Sequence, residues 1–437
     1  MADIVLKGNT SGSITIASPD VSGVNVLTLP VETGTILTTN TPLPEVSSVE
    51  FAGAGTSSGN ITITAPDTDE TNTLTFPETT GTFAIESSLG MRNIIINGNM
   101  QIAQRGTSAT GITTTGYYTC DRWSFSYSNP TAVFSQTQDT DVPTGQGFAN
   151  SLKTSCTTAG SLAADEKVLI LQRFEGFNVQ SLAKGTTNAK PTTVSFWVKS
   201  NKIGTYIVNL FDTDNLRTIS KSYTISSANT WEKKAVTFEG DTTGVLNDDN
   251  QQSLVLSWGL AIGSDATSGT LGTAWAAYSG AAITGRFAGQ VDLSDSTSNY
   301  INITGVQLEV GTTATPFENL QYGTQLQLCQ RYYQQYGSSG STAIGAGIWF
   351  TTTQVLGLFT FPVIMRTAPT MATTGIGWIQ AYRASGASTA AGSGYMDVIS
   401  NHSARFNISG WDVAGVAGMG TYLQLNADKY IFLNAEL

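Results

Sequence analysis

Residues 192–200, TTVSFWVKS, alternate polar and apolar side chains in a run rich in β-branched and aromatic residues. A period of two over this length is the signature of a strand with one wet face. The pattern returns in TAVFSQT (131–137), KVLILQRF (167–174), TYIVNLF (205–211), KKAVTFE (233–239), SLVLSWGLAI (253–262) and YINITGVQLEV (300–310). Short strands at this spacing predict an antiparallel β-sandwich over residues 91–318.

Downstream, YGTQLQLCQRYYQQYG (322–337) places Leu326, Cys329 and Tyr333 at helical spacing, so a connecting helix is expected over 319–337. Strand-like runs then resume: AIGAGIWF, TTQVLGLFTF, GIGWIQAYR, YMDVIS, ARFNISGW, YLQLNA and YIFLNAEL. They predict a C-terminal β tip domain over 338–437, with RASGASTAAGSG (383–394) as a small-residue loop.

Upstream, the chain repeats itself. GSITIASPDVSGVNVLTLPVETGTI (12–36) returns as GNITITAPDTDETNTLTFPETTGTF (59–83), so that Gly12, Ile14, Pro19, Asp20 and Pro30 align with Gly59, Ile61, Pro66, Asp67 and Pro77. Each copy reads strand, Pro-Asp turn, strand, turn, strand, and is too short to bury a core alone. Residues 1–90, with the linker TTNTPLPEVSS (38–48), are therefore expected to form an intertwined β stalk that borrows neighbours from identical chains, most simply as a homotrimer.

Composition narrows the chemistry. Charged residues are 12% of the 437, about half the usual ~25%, and the net charge is −11 with Lys and Arg scattered singly. No basic stripe is available for a phosphate backbone, so nucleic-acid binding is not expected. The start, MADIVLKGNTSG, does not read as a secretory signal, and VLGLFTFPVIM is too short and too interrupted by Pro362 to span a membrane. Synthesis in a cytoplasm, with release by lysis or in a particle, is the expectation. Cys120, Cys156 and Cys329 are odd in number and widely spaced, as for buried thiols rather than a disulfide framework or a metal knuckle.

The single histidine, His402, leaves no imidazole set for a triad or a metal cluster, and no cofactor motif is present. Paired carboxylates remain as the one enzymatic option. Asp165/Glu166, Asp212/Asp214 and Asp248/Asp249 are candidates, but each lies in a turn context where Asp caps backbone amides. The acidic turn LNDDNQQ (246–252) lacks the ordered spacing of a calcium loop. Neither a catalytic residue, a metal site nor a cofactor is expected. Aromatics are a better currency for recognition, since ring planes stack on sugars. Trp123, Trp197, Trp231 and Trp258 sit in alternating apolar runs and are read as core. Trp378, Tyr382, Arg383, Tyr395, His402 and Trp411, around glycine-rich loops in the tip, are the receptor-binding candidates.

The stretch MRNIIINGNMQIAQRG (91–106), followed by YYTCDRW (117–123), resembles tail-fibre proteins of tailed bacteriophages, which lead from such motifs into a sandwich similar to carbohydrate-binding modules. ITGVQLEVGTTATPFENLQYGTQLQLCQRYYQQYG (303–337), FPVIMRTAPTM (361–371) and ADKYIFLNAEL (427–437) look like later parts of the same family. The resemblance implies an all-β, elongated homotrimeric virion fibre with a central jelly-roll-like sandwich. Its N-terminal end would face a phage tail or baseplate protein, and its C-terminal end a bacterial surface polysaccharide or protein outside the cell. Attachment without catalysis is the expected role; a connector or decoration fibre, or a polysaccharide depolymerase using a carboxylate pair, are the alternatives. The amides of 91–106 are expected to serve as a collar where stalk meets sandwich, with Ile94, Ile96, Met100 and Ile102 on one apolar parity.

Overall fold

The computed structural model describes residues 91–437, apart from 129–130, 376, 383–387 and 398, together with four strands nearer the N-terminus. The chain divides into two compact units, Met1–Thr82 and Phe83–Leu437. In the first, β1 (Ile4–Lys7) pairs antiparallel with β2 (Ser13–Ile16), and β3 (Ser48–Ala52) with β4 (Asn60–Thr64). Strands β2 and β4 occupy equivalent places in the two repeat copies. The rest of each copy, with the linker and the Pro-Asp turns, lies outside the described residues.

In the second unit the strands run β5 (Ser108–Ile112), β6 (Gly116–Tyr117), β7 (Ser124–Ser128), β8 (Val133–Asp139), β9 (Ser151–Thr158), β10 (Lys167–Glu175), β11 (Thr192–Ser200), β12 (Gly204–Asp212), β13 (Arg217–Ile225), β14 (Glu232–Phe238), β15 (Gln252–Ile262), β16 (Ala276–Ala277) and β17 (Tyr300–Val310). They make two antiparallel sheets, a seven-stranded one in the order β16-β13-β12-β15-β10-β7-β6 and a six-stranded one in the order β14-β11-β17-β9-β8-β5. Every run that the alternation marked out is a strand of this sandwich. One shared core fills the space between the sheets, centred on Trp123, Trp258 and Phe196, with Trp258 edge-on to Phe196 at 5.4 Å.

Strand β10 reads KVLILQRFE, with four apolar residues in a row, Val168 to Leu171, because this part is covered on both faces. Val168 and Ile170 enter the main core, while Leu169 and Leu171 join Ile207 and Val255 in a second cluster. That cluster is roofed by Ala266 and Phe287 from the excursion after β15, which carries the short helix α1 (Ala281–Thr284). A strand buried on both faces has no reason to alternate.

Helix α2 (Tyr322–Gln330) is shorter than the spacing suggested and buries Gln325 and Cys329 rather than a Leu326–Cys329–Tyr333 stripe. Tyr333 instead begins β18 (Tyr333–Tyr336), because pairing of Tyr333–Tyr336 with the end of the chain overrides a modest helical pattern. Beyond it come β19 (Thr342–Trp349), β20 (Gln354–Thr360), β21 (Thr370–Thr373), β22 (Ile379–Tyr382), β23 (Ser388–Asp397), β24 (Ser403–Trp411), β25 (Gly420–Leu425) and β26 (Ile431–Asn434). Strands β19-β20-β24-β23-β22-β25 close into a barrel, and β18-β26-β21 form a small sheet. The expected small-residue loop is half strand, since β23 starts at Ser388.

The barrel and the sandwich are bolted together by the signature stretches. Residues 91–106 form no strand, so the expected apolar parity does not operate; Asn97 and Met100 adopt left-handed backbone (φ 59° each). Asn97 instead pins the chain through its side chain, donating to the Ile102 and Asp121 carbonyls (2.8 and 2.9 Å) and accepting from the Ile102 N–H. Its own carbonyl receives the Trp123 indole N–H at 3.0 Å. From there Gln104 reaches the Tyr333 carbonyl at 2.9 Å, and Arg105 lies 3.6 Å over the Tyr333 ring. Arg122 lies 3.4 Å over Tyr332 and pairs with Glu436, which also takes Arg105 at 3.2 Å. Arg331 grips Glu175 through two hydrogen bonds, and Arg366 ties the Asn250 and Ala435 carbonyls together. Gln104 and Arg105 of this stretch, with Arg122, Arg331 and Arg366, thus join the sandwich to the β18-β26-β21 sheet and the last residues of the same chain.

Candidate functional site

The tip aromatics do not gather into one exposed set. Trp378 and Trp411 are buried in the barrel core with Trp349, whose ring lies 5.3 Å from that of Trp411. Gly415 faces the Trp349 ring so closely that a Cβ there would sit 2.1 Å from it, so the indole has its place only because the loop residue is glycine. Tyr382 is half-buried and lies 5.7 Å from Tyr422. Tyr395 is exposed on β23 and takes a hydrogen bond from Asn407 at 2.9 Å, beside the Arg405–Asp397 pair. His402 is exposed in the β23–β24 turn next to Ser400 and Asn401. Arg383 lies outside the described residues.

The paired carboxylates hold turns. Glu166 accepts the Thr131 and Ala163 N–H groups at 3.0 and 2.9 Å. Asp212 is fully buried against Lys184 at 2.5 Å and receives the Asn215 N–H at 2.9 Å. Asp214 accepts Asn247, and Asp249 accepts the Gln251 N–H. Cys120, Cys156 and Cys329 are all buried and unpaired with one another.

Two tryptophans leave the core role assigned to them. In β11, Val194, Phe196 and Val198 point inward, which puts Trp197 and Lys199 on the outer face of the six-stranded sheet. Trp231, just before β14, shares the outward parity of Lys233, whose neighbour across the strands is Trp197. Both indoles are half-buried. The signal was present in TTVSFWVKS: Trp197 alternates with the apolar residues instead of joining them.

Around these rings a polar corner is fixed. The Trp231 indole N–H donates to Asp141 at 2.9 Å, and Lys199 pairs with the same carboxylate. Tyr300, at the start of β17, donates its hydroxyl to Asn229 at 2.6 Å. Lys153 stands 5.1 Å from the Tyr300 ring centre and 3.5 Å from Asp139. Partial burial pushes the Asp141 carboxyl up, but the hydrogen bonds from Lys199 and Trp231 outweigh it and hold the group below the ordinary carboxylate value. Burial raises the Tyr300 hydroxyl, so it stays a neutral donor. The result is a set of aromatic rings flanked by an ionised acceptor, an amide and two ammonium groups, where Trp197, Lys199, Lys153 and Tyr300 on strands of the six-stranded sheet meet Asp141, Asn229 and Trp231 from its connections.

A cavity of about 590 Å³ near Asn93, Lys190 and Leu328 offers a contrast. No aromatic ring lines it, and its carboxylates are engaged internally: Glu309 with Gln307 and Thr315, Glu318 with the Asn93 N–H.

The architecture defines a class: an all-β protein in which a two-sheet sandwich is locked to a closed six-stranded barrel. No family model and no curated protein matches the chain. Solved structures similar to it include the enzymatically active domain of tailspike protein 4 of bacteriophage CBA120, at 12% identity and a TM-score of 0.27, over 50% of this chain but 21% of that one. A family 4 carbohydrate-binding module is similar at 11% identity and a TM-score of 0.25, over 49% of this chain and 98% of the module. A family 11 carbohydrate-binding module from Clostridium thermocellum is similar at 10% identity and a TM-score of 0.24, over 47% and 97%.

Proposed function

We propose that this chain is a tail-fibre protein of a bacteriophage virion that attaches the particle to a bacterial surface glycan without cleaving it. The observation that carries the reading is the corner of Trp231 and Tyr300 around Asp141 on the sandwich, with Trp197 on the same outer face. Ring planes offer the apolar faces of a sugar a stacking surface, while the fixed carboxylate, amide and ammonium groups take its hydroxyls. The phage-fibre resemblance supports the setting, since residues of its separate motifs, 91–106, 117–123, 303–337 and 427–437, meet in one interlock between two modules. That is the use a fibre has for them: a rigid joint under load.

In this reading the chain is a homotrimer, its repeat-bearing end docks on a tail or baseplate protein, and three weak glycan contacts act together through multivalency. The test is adsorption. Purified full-length protein is expected to label the host strain of the parent phage and to compete with phage adsorption, while releasing no reducing ends from the host polysaccharide. Absence of labelling and competition overturns the attachment reading; released sugar ends overturn the non-enzymatic part.

A further inference from the structure

The barrel carries an outer face that is poorly suited to water. Residues 332–365 contain no charged side chain, in a chain of net charge −11. On β19, the residue after it and β20, this segment turns Ile348, Phe350 and Leu358 outward; Leu358 is 69% exposed and Phe350 62%. The register makes the patch continuous. Ile348 lies opposite Leu356 on one side and Gly420 on the other, and Ala346 lies opposite Tyr422. The loop before β25 adds Val416 and Met419, held there because the Trp349 N–H donates to the Met419 carbonyl at 2.9 Å and the Gly418 N–H to the Trp349 carbonyl at 2.7 Å. Beside Leu358 the face ends at Arg405, whose charge is answered within the chain by two hydrogen bonds to Asp397.

We propose that this face, from Phe350 through Ile348 to Leu358 and Tyr422, is where copies of the chain meet. The proposal rests on the oligomer reading given above and assigns it a surface. Two quantities favour a second copy as the occupant. The first is area. At roughly 200 Å² per large side chain, Ile348, Phe350, Leu358, Val416, Met419 and Tyr422 together expose about 650 Å². That exceeds the ~300–600 Å² of the largest patch on a typical monomer and approaches the ~800 Å² that each partner contributes to a stable interface. The second is charge. Copies that each carry −11 repel, so their closest contact belongs where neither presents a charge, and the Arg405–Asp397 pair at the rim leaves no unmatched ion to bury. Around a closed symmetry axis, one such face per copy is covered by its neighbours, so this face is not left open to unlimited association.

The experiment compares the full wild-type chain with two variants. Light scattering of Ile348→Asp/Leu358→Asp, both on exposed side chains, reads the assembly; a separate Leu358→Cys variant reads the contact directly, since the native thiols are buried. The wild type is expected to have a multiple of the 46.1 kDa monomer mass. The double variant is expected to keep its far-UV spectrum and to dissociate at a protein concentration at least about 100-fold higher. The thiol introduced by Leu358→Cys is expected to be slow to alkylate in the assembly and to cross-link between copies with a short bis-maleimide. A monomeric wild type overturns the proposal, and so does an oligomer that the aspartates leave intact while the introduced thiol alkylates at the rate of a free one. Polysaccharide retention per protomer, read on the dissociated double variant, reports the sandwich site separately, so failure of one reading is not failure of the other.

Discussion

Glu436→Gln addresses the joint between sandwich and barrel. Glu436 faces Arg122, whose side chain is 1% exposed, and Arg105, 10% exposed. Removing one partner of a buried pair costs about 3–5 kcal/mol, chiefly because the other charge is left unanswered. Here part of that is offset, since Arg122 keeps the Arg173 carbonyl at 2.6 Å and the Tyr332 ring, and glutamine keeps an acceptor oxygen. A loss of about 2–4 kcal/mol is therefore expected, read from urea unfolding followed by tryptophan fluorescence. Adding Arg122→Met removes the stranded charge and is expected to restore a large part of the loss. A change below about 0.5 kcal/mol for Glu436→Gln would refute the idea that this pair locks the modules.

Other expectations follow from the same structure. Asn97→Ala removes three buried hydrogen bonds and asks alanine to hold a left-handed φ of 59°. Stability should fall by about 2–4 kcal/mol; a near-neutral variant on a denaturant curve would contradict the role given to this side chain. Burial pushes the Asp121 carboxyl up to about 6, against the pull of Arg105 and Gln104. A folded-state value above the unfolded one means that the native protein binds more protons between about pH 4 and 6, so this group's contribution to stability falls as pH rises through that window. Carboxylates held low by partners, such as Asp241 and Asp397, act in the opposite sense. Comparison with Asp121→Asn isolates the contribution: the wild type should lose about 1 kcal/mol relative to the variant between about pH 5 and 7.5, and a difference that does not move with pH would contradict the assignment.

The strands were legible because a half-buried strand writes its geometry into every second residue. TTVSFWVKS needed no partner to be read; YINITGVQLEV keeps its alternation although β17 is buried on both faces, and KVLILQRF departs from strict alternation over Val168–Leu171, where the 263–290 excursion buries the second face. What pattern reasoning misplaced was set by distant contacts. Trp378 and Trp411 sit among glycines in the sequence, but barrel closure brings them to the core. Tyr333 continues a helical spacing, yet pairs with Asn434 a hundred residues on. Glu436 has no local motif and finds Arg122 across 314 residues. The candidate site was half-written: the parity of Trp197 was in view, whereas the meeting of Asp141, Trp231 and Tyr300 depends on three separate connections converging at one corner.

Attachment in this reading depends on a sugar held at this corner. Affinity electrophoresis of the full chain through gels containing host surface polysaccharide measures it directly, with Trp231→Ala and Tyr300→Ala beside the wild type. Loss of one stacking ring, at about 1.4 kcal/mol, corresponds to roughly tenfold weaker retention per site. The wild type is expected to be retarded and each variant to drop by that factor or more, with unfolding curves unchanged. Wild-type protein that is retarded equally with both variants would place the glycan elsewhere, and contradict it.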